Sequence, residues 1–289
     1  MKLIQTPISS RSSRFHWLWL LSRDSGARVG ALIILFVGAM GLLGPHLTGV
    51  DPLKADPFLR ILPPSRDHWL GTDTLGRDVF TRMLHGARVS LLVGFGTTVA
   101  TVVVGGLVGL VAGYFKAADG VLMRIMDGLM AFPSVMLAIT IVAVRGPGIG
   151  NVILAMTVSG SPRIARLVRG HVLSIRGRLY VEAARSLGAS PRRILSRHIL
   201  PNTMPVLIVQ ASFTFAIAVV IEAAMSFLGA GVPPQMPAWG NMLQEGARLV
   251  QVAPWVSVFP GLAIAITVLG LNLLGDALRD CLDPQITER

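Results

Sequence analysis

The sequence predicts an all-α integral membrane protein with about six transmembrane helices. Hydrophobic residues occupy 52% of its 289 positions and charged residues only 14%, whereas soluble domains carry about 25% charged residues. Apolar runs also recur at close to the length, about 20 residues, that a helix needs to cross a bilayer. In such a protein the formal net charge of +11 indicates basic residues retained on the cytoplasmic side.

Six apolar runs are the predicted spans. The fourth is the shortest, because Arg163, Arg166 and Arg169 follow it at three-residue spacing. We expect that helix to leave the membrane and continue into water, since charged side chains are costly inside a bilayer. In chain order the runs cover residues 29–47, 89–115, 119–145, 149–161, 205–228 and 256–278.

The distribution of lysine and arginine predicts the orientation. Most of the 26 basic residues fall in segments that face the cytoplasm if both termini do, in agreement with the positive-inside rule. No small-residue cleavage site follows the first apolar run, so we expect this helix to be retained. The predicted plan is a cytoplasmic segment at 1–28, a first helix at 29–47, a periplasmic loop at 48–88, a membrane core at 89–278 with a cytoplasmic loop at about 163–204, and a cytoplasmic tail at 279–289.

The predicted periplasmic loop alternates acidic and basic residues. This pattern favours a solvated fold held by its own ion pairs over a substrate site. Trp239 and Trp255, in a later segment between spans, are predicted to be anchors at the membrane interface. The alternating residues are aspartates 51, 56, 67, 73 and 78 and arginines 60, 66, 77, 82 and 88.

Two acidic residues fall inside predicted spans, where ionisable side chains are rare and commonly functional. Asp127 lies three residues after Arg124, so we expect a local helical ion pair between them. Glu222 lies deeper, within AVVIEAAMSFLG. Its carboxyl group could form a structural hydrogen bond or line a transport path, and the sequence leaves both open.

Three glycines in the second span recur every four residues. Gly105, Gly109 and Gly113 would form a small face that lets helix backbones approach closely. The spacing fits packing within the chain as well as packing between subunits.

Nucleotide, metal and cofactor sites are not expected in this chain, and it is not predicted to be an enzyme. A P-loop needs Gly-Lys followed by Ser or Thr, but Lys2, Lys54 and Lys116 follow Met, Leu and Phe. The single cysteine, Cys281, and the six histidines show no metal-ligand spacing. A self-powered secondary carrier stays an alternative, although two intramembrane acids are few for one.

The stretch YVEAARSLGASPRRILSRHILPN, residues 180–202, interrupts the apolar pattern with four arginines. It predicts two short helices joined at Gly188, with Ser190 capping the second helix and Pro191 in its first position. Pro201 and Pro205 are predicted to end the hairpin and restart the chain towards the bilayer.

Two functions suit such a hairpin. A DNA-binding helix-turn-helix would use the arginines on phosphates, but that domain usually needs a third helix, and here both flanks return to the membrane. A rigid hairpin continuous with spanning helices could instead transmit motion between a cytoplasmic partner and the membrane.

The same stretch resembles the cytoplasmic "EAA" signature of permease subunits of binding-protein-dependent ABC importers. The signature is Glu-Ala-Ala, three residues, Gly, nine residues, Ile, one residue, Leu-Pro. His198 departs from it at the Ile position. The matching residues are Glu182, Ala183, Ala184, Gly188, Leu200 and Pro201.

Five further motifs resemble the second permease of dipeptide, oligopeptide and nickel importers. They occur in order along the chain, which makes the resemblance specific. They are HWLGTDTLGRDVFTRMLHGARVSLLVG (68–94), MRIMDGLMAFP (123–133), EAAMSFLGAG (222–231), AWGNML (238–243) and LNLLGDALRDCLDP (271–284).

The resemblance implies a type I ABC importer permease fold in a bacterial inner membrane. It implies import of di- or oligopeptides, with nickel or a metal chelate as the alternative substrate. The implied partners are a homologous second permease, two ATPase subunits that bind ATP and Mg²⁺, a periplasmic substrate-binding protein and the lipid bilayer, with no nucleic acid. The implied ATPase-coupling residues are Glu182, Ala183, Ala184, Gly188, Ala189, Ser190, Pro191, Leu200 and Pro201.

Overall fold

Helices make up nearly all the regular structure in the computed structural model, which describes residues 24–282. Within that range there is no β-strand, and one isolated bridge pairs Thr72 with Asp78. Parts of the predicted terminal segments, 1–23 and 283–289, lie outside the described residues. The helices are α1 Ser25–Thr48, α2 Val79–Tyr114, α3 Lys116–Met130, α4 Ser134–Arg145, α5 Ile149–Arg176, α6 Leu179–Ser186, α7 Pro191–Ile194, α8 Leu200–Phe227, α9 Trp239–Ala247 and α10 Trp255–Leu282.

The predicted all-α membrane class is confirmed. α1, α2, the run Pro191–Phe227 and α10 are each long and apolar enough to cross a membrane. α3 and α4 reach that length only together, and they meet at 88°. An uninterrupted third span is therefore wrong: Pro133 precedes α4, lacks an N–H and disfavours helical backbone in the residue before it.

The fourth predicted span continues as one helix well past its apolar run, and it is not among the helices that are apolar enough to cross a membrane. The described residues thus contain four such helices, or five if the bent pair counts as one, and not the predicted six. α5 extends to Arg176, so the three arginines lie on the same helix as the apolar residues before them. Helix α2 also begins early, at Val79, where the side chain of Asp78 accepts a hydrogen bond from the N–H of Thr81 at 2.7 Å. The last ten residues of the segment 48–88 are thus helical.

The three glycines of α2 face α5 of the same chain. A Cβ on Gly109 would lie 2.5 Å from the carbonyl oxygen of Ala165, and a Cβ on Gly113 would lie 2.6 Å from the Cβ of Val172. Gly105 approaches α5 as closely, at 2.7 Å. The glycines allow the backbones of α2 and α5 to approach closely. Of the two uses that the spacing allowed, the structure shows packing within the chain.

The helix after the hairpin does not break at its prolines, and that prediction is wrong. Pro191–Phe227 is one helical run of 37 residues with a π-helical segment at Leu195–Ile199. Inside it the N–H of Leu200 donates to the carbonyl of Leu195, five residues back. A proline ring clashes with the carbonyl four residues before it, and the wider turn directly ahead of Pro201 relieves that clash.

The segment between α1 and α2 is held by buried ion pairs. Asp73 is fully buried and accepts hydrogen bonds from Arg77 at 2.7 Å and from Arg82. Both arginines also bind Glu245, at 2.8 Å and 2.6 Å. The predicted ion pairs among residues of the segment itself are therefore only part of the network, since Glu245 belongs to α9.

Trp239 is not an interfacial anchor, contrary to prediction. It is 1% exposed, and its indole N–H donates to the carbonyl of Met83 at 3.2 Å. The indole lies against Gly86, where an added Cβ would meet it at 2.9 Å. Trp239 therefore fastens α9 to the start of α2.

Candidate functional site: the hairpin and the intramembrane cleft

The basic stretch forms the predicted hairpin, and its turn depends on one glycine. Gly188 has φ +79°, a left-handed conformation that glycine adopts at no steric cost. Its N–H donates to the carbonyl of Arg185, and the N–H of Ala189 donates to that of Ala184, both at 3.0 Å. These two bonds are a Schellman motif, the common way to end an α-helix.

The second helix starts as predicted. The hydroxyl of Ser190 accepts a hydrogen bond from the N–H of Arg193 at 3.4 Å, and Pro191 occupies the first helical position. Cap and proline together fix where α7 begins. Because α7 continues through the π segment into α8, the hairpin turn has a rigid connection to a membrane helix.

One side of the hairpin is packed against the membrane helices. Val181, Ile194 and Ile199 are buried and belong to a single apolar cluster with residues of α5 and α8, including Val172 and Leu207. Close-packed side chains transmit displacement because they leave few voids. The hairpin, the inner end of α5 and the inner end of α8 are therefore expected to move as a unit.

The other side of the hairpin is open. Leu187 at the turn is 88% exposed and Leu179, at the start of α6, is 84% exposed. The polar residues exposed on the same hairpin include Glu182 and the arginines 185, 192, 193 and 197. Of the other predicted coupling residues, Ala183, Gly188, Ser190, Pro191 and Pro201 are exposed, whereas Ala184, Ala189 and Leu200 are half-buried.

Two ion pairs tie α3 to α5, and they correct the expectation for Asp127. Its carboxylate binds Arg166 at 2.7 Å rather than Arg124. Asp119 binds Arg169 through two hydrogen bonds of 2.5 Å and 2.7 Å. Asp127 thus pairs with an arginine of the neighbouring helix α5 and not with the arginine three residues before it on α3. The spacing of residues in the sequence does not indicate such a pair between helices.

A cleft of about 360 Å³ opens between α2, α5, α8 and the α3–α4 bend. Its size falls within the range of small-molecule sites, about 300–1,000 Å³. Apolar residues from α3, the bend, α5 and α8 form most of its wall, and α2 contributes two threonines. The polar residues that line it are Thr97, Thr101, Ser134, Ser159, Arg163, Gln210 and Thr214.

Glu222 lies outside the cleft wall. Its side chain is fully buried, and one carboxyl oxygen accepts a hydrogen bond from Ser226 at 2.8 Å. The other oxygen has no partner among residues 24–282. This placement supports the structural alternative over a role in a transport path.

Sequence reasoning missed the cleft because its residues come from five separate helices. Thr97, Gln210 and Thr214 are single polar residues in apolar runs, which hydropathy places in the membrane without fixing their direction. The available signal was Arg163, a cation that follows directly on an apolar run.

The chain resembles known proteins over most of its length. Residues 102–288 match the family described as "Binding-protein-dependent transport system inner membrane component". A putative peptide transport system permease protein of Brucella abortus is 44% identical over 266 residues, which cover 92% of this chain and 90% of that protein. A probable peptide ABC transporter permease protein of Sinorhizobium fredii is 46% identical over 286 residues, 99% of this chain and 95% of that one.

A dipeptide transport system permease protein of Alkalihalophilus pseudofirmus is 42% identical over 267 residues, 92% of this chain and 88% of that protein. The fold is similar to that of a chain in an inward-facing structure of the MetNI methionine ABC transporter. The TM-score is 0.59 at 22% identity, over 70% of this chain and 96% of that chain. The type I permease fold is thereby confirmed, and the chain belongs to the family of inner-membrane components of binding-protein-dependent transport systems.

Proposed function

We propose that this chain is the permease subunit of an ATP-driven importer that carries di- or oligopeptides across the bacterial inner membrane. The hairpin carries the proposal. It presents an exposed apolar tip at Leu187, and its inner face is packed into α5 and α8 through Val181, Ile194 and Ile199. A surface made for a partner and a packed connection to the membrane helices suit a coupling element.

The proposed assembly supplies what this chain lacks. Two separate ATPase subunits would bind ATP and Mg²⁺ and dock on the hairpin, with Glu182, Ala183 and Gly188 in the contact. A homologous second permease would complete the pathway, and a periplasmic binding protein would deliver the substrate. Both termini of this chain would then face the cytoplasm, as the positive-inside rule predicts.

The mechanism follows from the connection between hairpin and cleft. α5 supplies Ser159 and Arg163 to the cleft wall, and α8 supplies Gln210 and Thr214. The same two helices hold the hairpin at their inner ends. A displacement of the hairpin by closure of the ATPases would therefore shift two walls of the cleft together, a rigid-body transition that alternates access.

The names of the relatives support a peptide substrate. They are described as permeases for peptides, dipeptides and glutathione, and we extend this description to the present chain. Nickel or a metal chelate is the second candidate, because the sequence motifs are shared by both kinds of importer.

The test is uptake of a labelled dipeptide and of labelled nickel in cells that lack this gene. We expect loss of dipeptide uptake alone, restored by the intact gene. Loss of nickel uptake alone would keep the mechanism and replace the substrate. Uptake that persists after the ATPase subunits are removed would support the self-powered carrier, and salt-sensitive DNA binding by the solubilised protein would support the DNA-binding alternative.

A further inference from the structure

We propose that the cleft between α2, α5 and α8 binds an anionic group, the carboxylate of the peptide in transit, with Arg163 as its main ligand. The inference rests on the importer function proposed above and adds a substrate contact to it. Four observations carry it: an arginine without an ion pair, its place at the end of the apolar part of α5, an uncapped helix start, and the absence of acidic residues from the cleft lining within the described range.

Arg163 differs from the two arginines that follow it on α5. Arg166 binds Asp127 and Arg169 binds Asp119, each through its guanidinium. Arg163 lines the cleft, and its side chain forms no ion pair with any residue between 24 and 282. Of these three arginines, the one that faces the cleft is the one without an acidic partner in the described part of the chain.

Arg163 lies where α5 changes from apolar to basic. It follows the first residue of α5, Ile149, by fourteen positions, a distance of about 21 Å along a helix, and the residue is exposed. Ionisable side chains on membrane helices usually face a cavity and mark substrate pathways or bind a partner. An anion that enters the cleft would gain a charge-assisted hydrogen bond from this guanidinium.

The start of α4 adds a second positive element. α4 has twelve residues and begins at Ser134, without a side chain that caps its first N–H groups. Such an end carries partial positive charge and binds anions. Ser134 lines the cleft, as does Thr101, which is 1% exposed and whose hydroxyl has no partner among the described residues.

The other residues that line the cleft also favour an anion over a cation. No aspartate or glutamate is among the residues that line the cleft in the described range. A site for a bare divalent cation needs carboxylate or imidazole ligands, so this lining disfavours free nickel. A carboxylate can take a bidentate hydrogen bond from a guanidinium, with a fixed geometry.

The experiment uses the complete importer in proteoliposomes, with labelled dipeptide uptake and stimulated ATP hydrolysis measured on the same sample. We expect Arg163→Gln to lower the dipeptide imported per ATP by at least about tenfold, since hydrogen bonds to charged groups are strong. Arg166→Gln is the matched control, because its exposed ion pair contributes little, and it should stay within about twofold of wild type.

Restoring the charge separates recognition from packing. Arg163→Cys is made with Cys281→Ser, which removes the one native cysteine of this chain, and the importer with Cys281→Ser alone, treated in the same way, controls for thiols of the other subunits. Treatment with aminoethyl methanethiosulfonate, which adds a cation, should raise uptake per ATP, and sulfonatoethyl methanethiosulfonate, which adds an anion, should not. A purely structural role would show no such dependence on the sign of the charge.

Three results would contradict the proposed contact between Arg163 and the peptide. If wild type imports the dipeptide and Arg163→Gln imports as much per ATP, the proposed contact is wrong. If Arg163→Gln lowers uptake and ATP hydrolysis in proportion, together with thermal stability, Arg163 stabilises the structure and does not bind the substrate, and the proposal is also overturned. If wild type hydrolyses ATP but imports no dipeptide, the peptide function itself fails, and the inference falls with it.

Discussion

The guanidinium of Arg82 binds the carboxylate of Glu245 through two hydrogen bonds, of 2.6 Å and 3.0 Å, across 163 residues of sequence. Arg82 is 1% exposed and also binds Asp73. A buried cation that loses one of its partners keeps its desolvation cost. Arg82 lies in α2, so this pair joins α2 to α9, and through Asp73 the same guanidinium also holds the segment before α2.

Glu245→Ala should destabilise the protein by about 3 kcal/mol, the usual cost of breaking a buried pair. The measurement is the midpoint of thermal unfolding of the detergent-purified protein, followed by size-exclusion chromatography. Asp67→Asn, at an exposed aspartate of the same segment, is the control and should leave the midpoint unchanged. An equal midpoint for Glu245→Ala would mean that the pair does not hold the segment.

Gly188→Val should uncouple ATP hydrolysis from transport while the protein still inserts into the membrane. A Cβ at this position meets nothing within 4 Å, so the expected defect comes from the left-handed φ of +79°. A side chain there costs about 1–2 kcal/mol, and a β-branched residue is the least compatible with it.

Two variants make that experiment specific. Gly188→Asn should be milder, because asparagine tolerates the left-handed region. Gly177→Ala is the matched control, since Gly177 has φ −91° and equally open surroundings. Normal dipeptide uptake per ATP by Gly188→Val would show that the turn conformation is not needed for coupling.

Glu182→Lys should weaken docking of the ATPase subunits. Glu182 is exposed in the first turn of α6, where a carboxylate is stabilised by the helix dipole, and the hairpin also carries the exposed arginines 185, 192, 193 and 197. Reversal of its charge adds a further cation to a basic surface. The measurement is the amount of ATPase that co-purifies with this chain. Glu182→Gln is expected to give an intermediate amount. If Glu182→Lys recovers as much ATPase as wild type, Glu182 is not part of the contact.

Gly109→Ala should lower thermal stability, because its Cβ would lie 2.5 Å from the carbonyl oxygen of Ala165. Overpacking of this kind costs about 1–3 kcal/mol. Gly106→Ala, on the same helix, is the control: its Cβ would lie 3.9 Å from Leu207, and it should be neutral or stabilising. If both variants unfold at the wild-type temperature, α2 and α5 are free to separate.

Features governed by neighbouring residues could be predicted from the sequence. The hairpin turn at Gly188 and the cap at Ser190 depend on backbone conformation over a few positions. The membrane class depends only on apolar runs. Pro201 misled the prediction because its local preference to end a helix was overcome by a π turn.

Features that depend on contacts between distant parts of the chain could not be predicted from the sequence. Asp127 has one candidate partner three residues away and another on a neighbouring helix, Arg166, and only the fold decides between them. Trp239 is suitable for a membrane interface by type but is buried under α2. The cleft required the rotation of α2, α5 and α8, which hydropathy leaves undetermined.

The π segment at Leu195–Ile199 has a consequence for how α8 faces its neighbours. A π turn amounts to one residue more than an α-helix needs, and one residue corresponds to about 100° of rotation. The hairpin and the cleft-lining Gln210 and Thr214 lie on opposite sides of that turn. One inserted residue thus determines the direction, about the helix axis, in which the hairpin points relative to the cleft-lining side chains of α8.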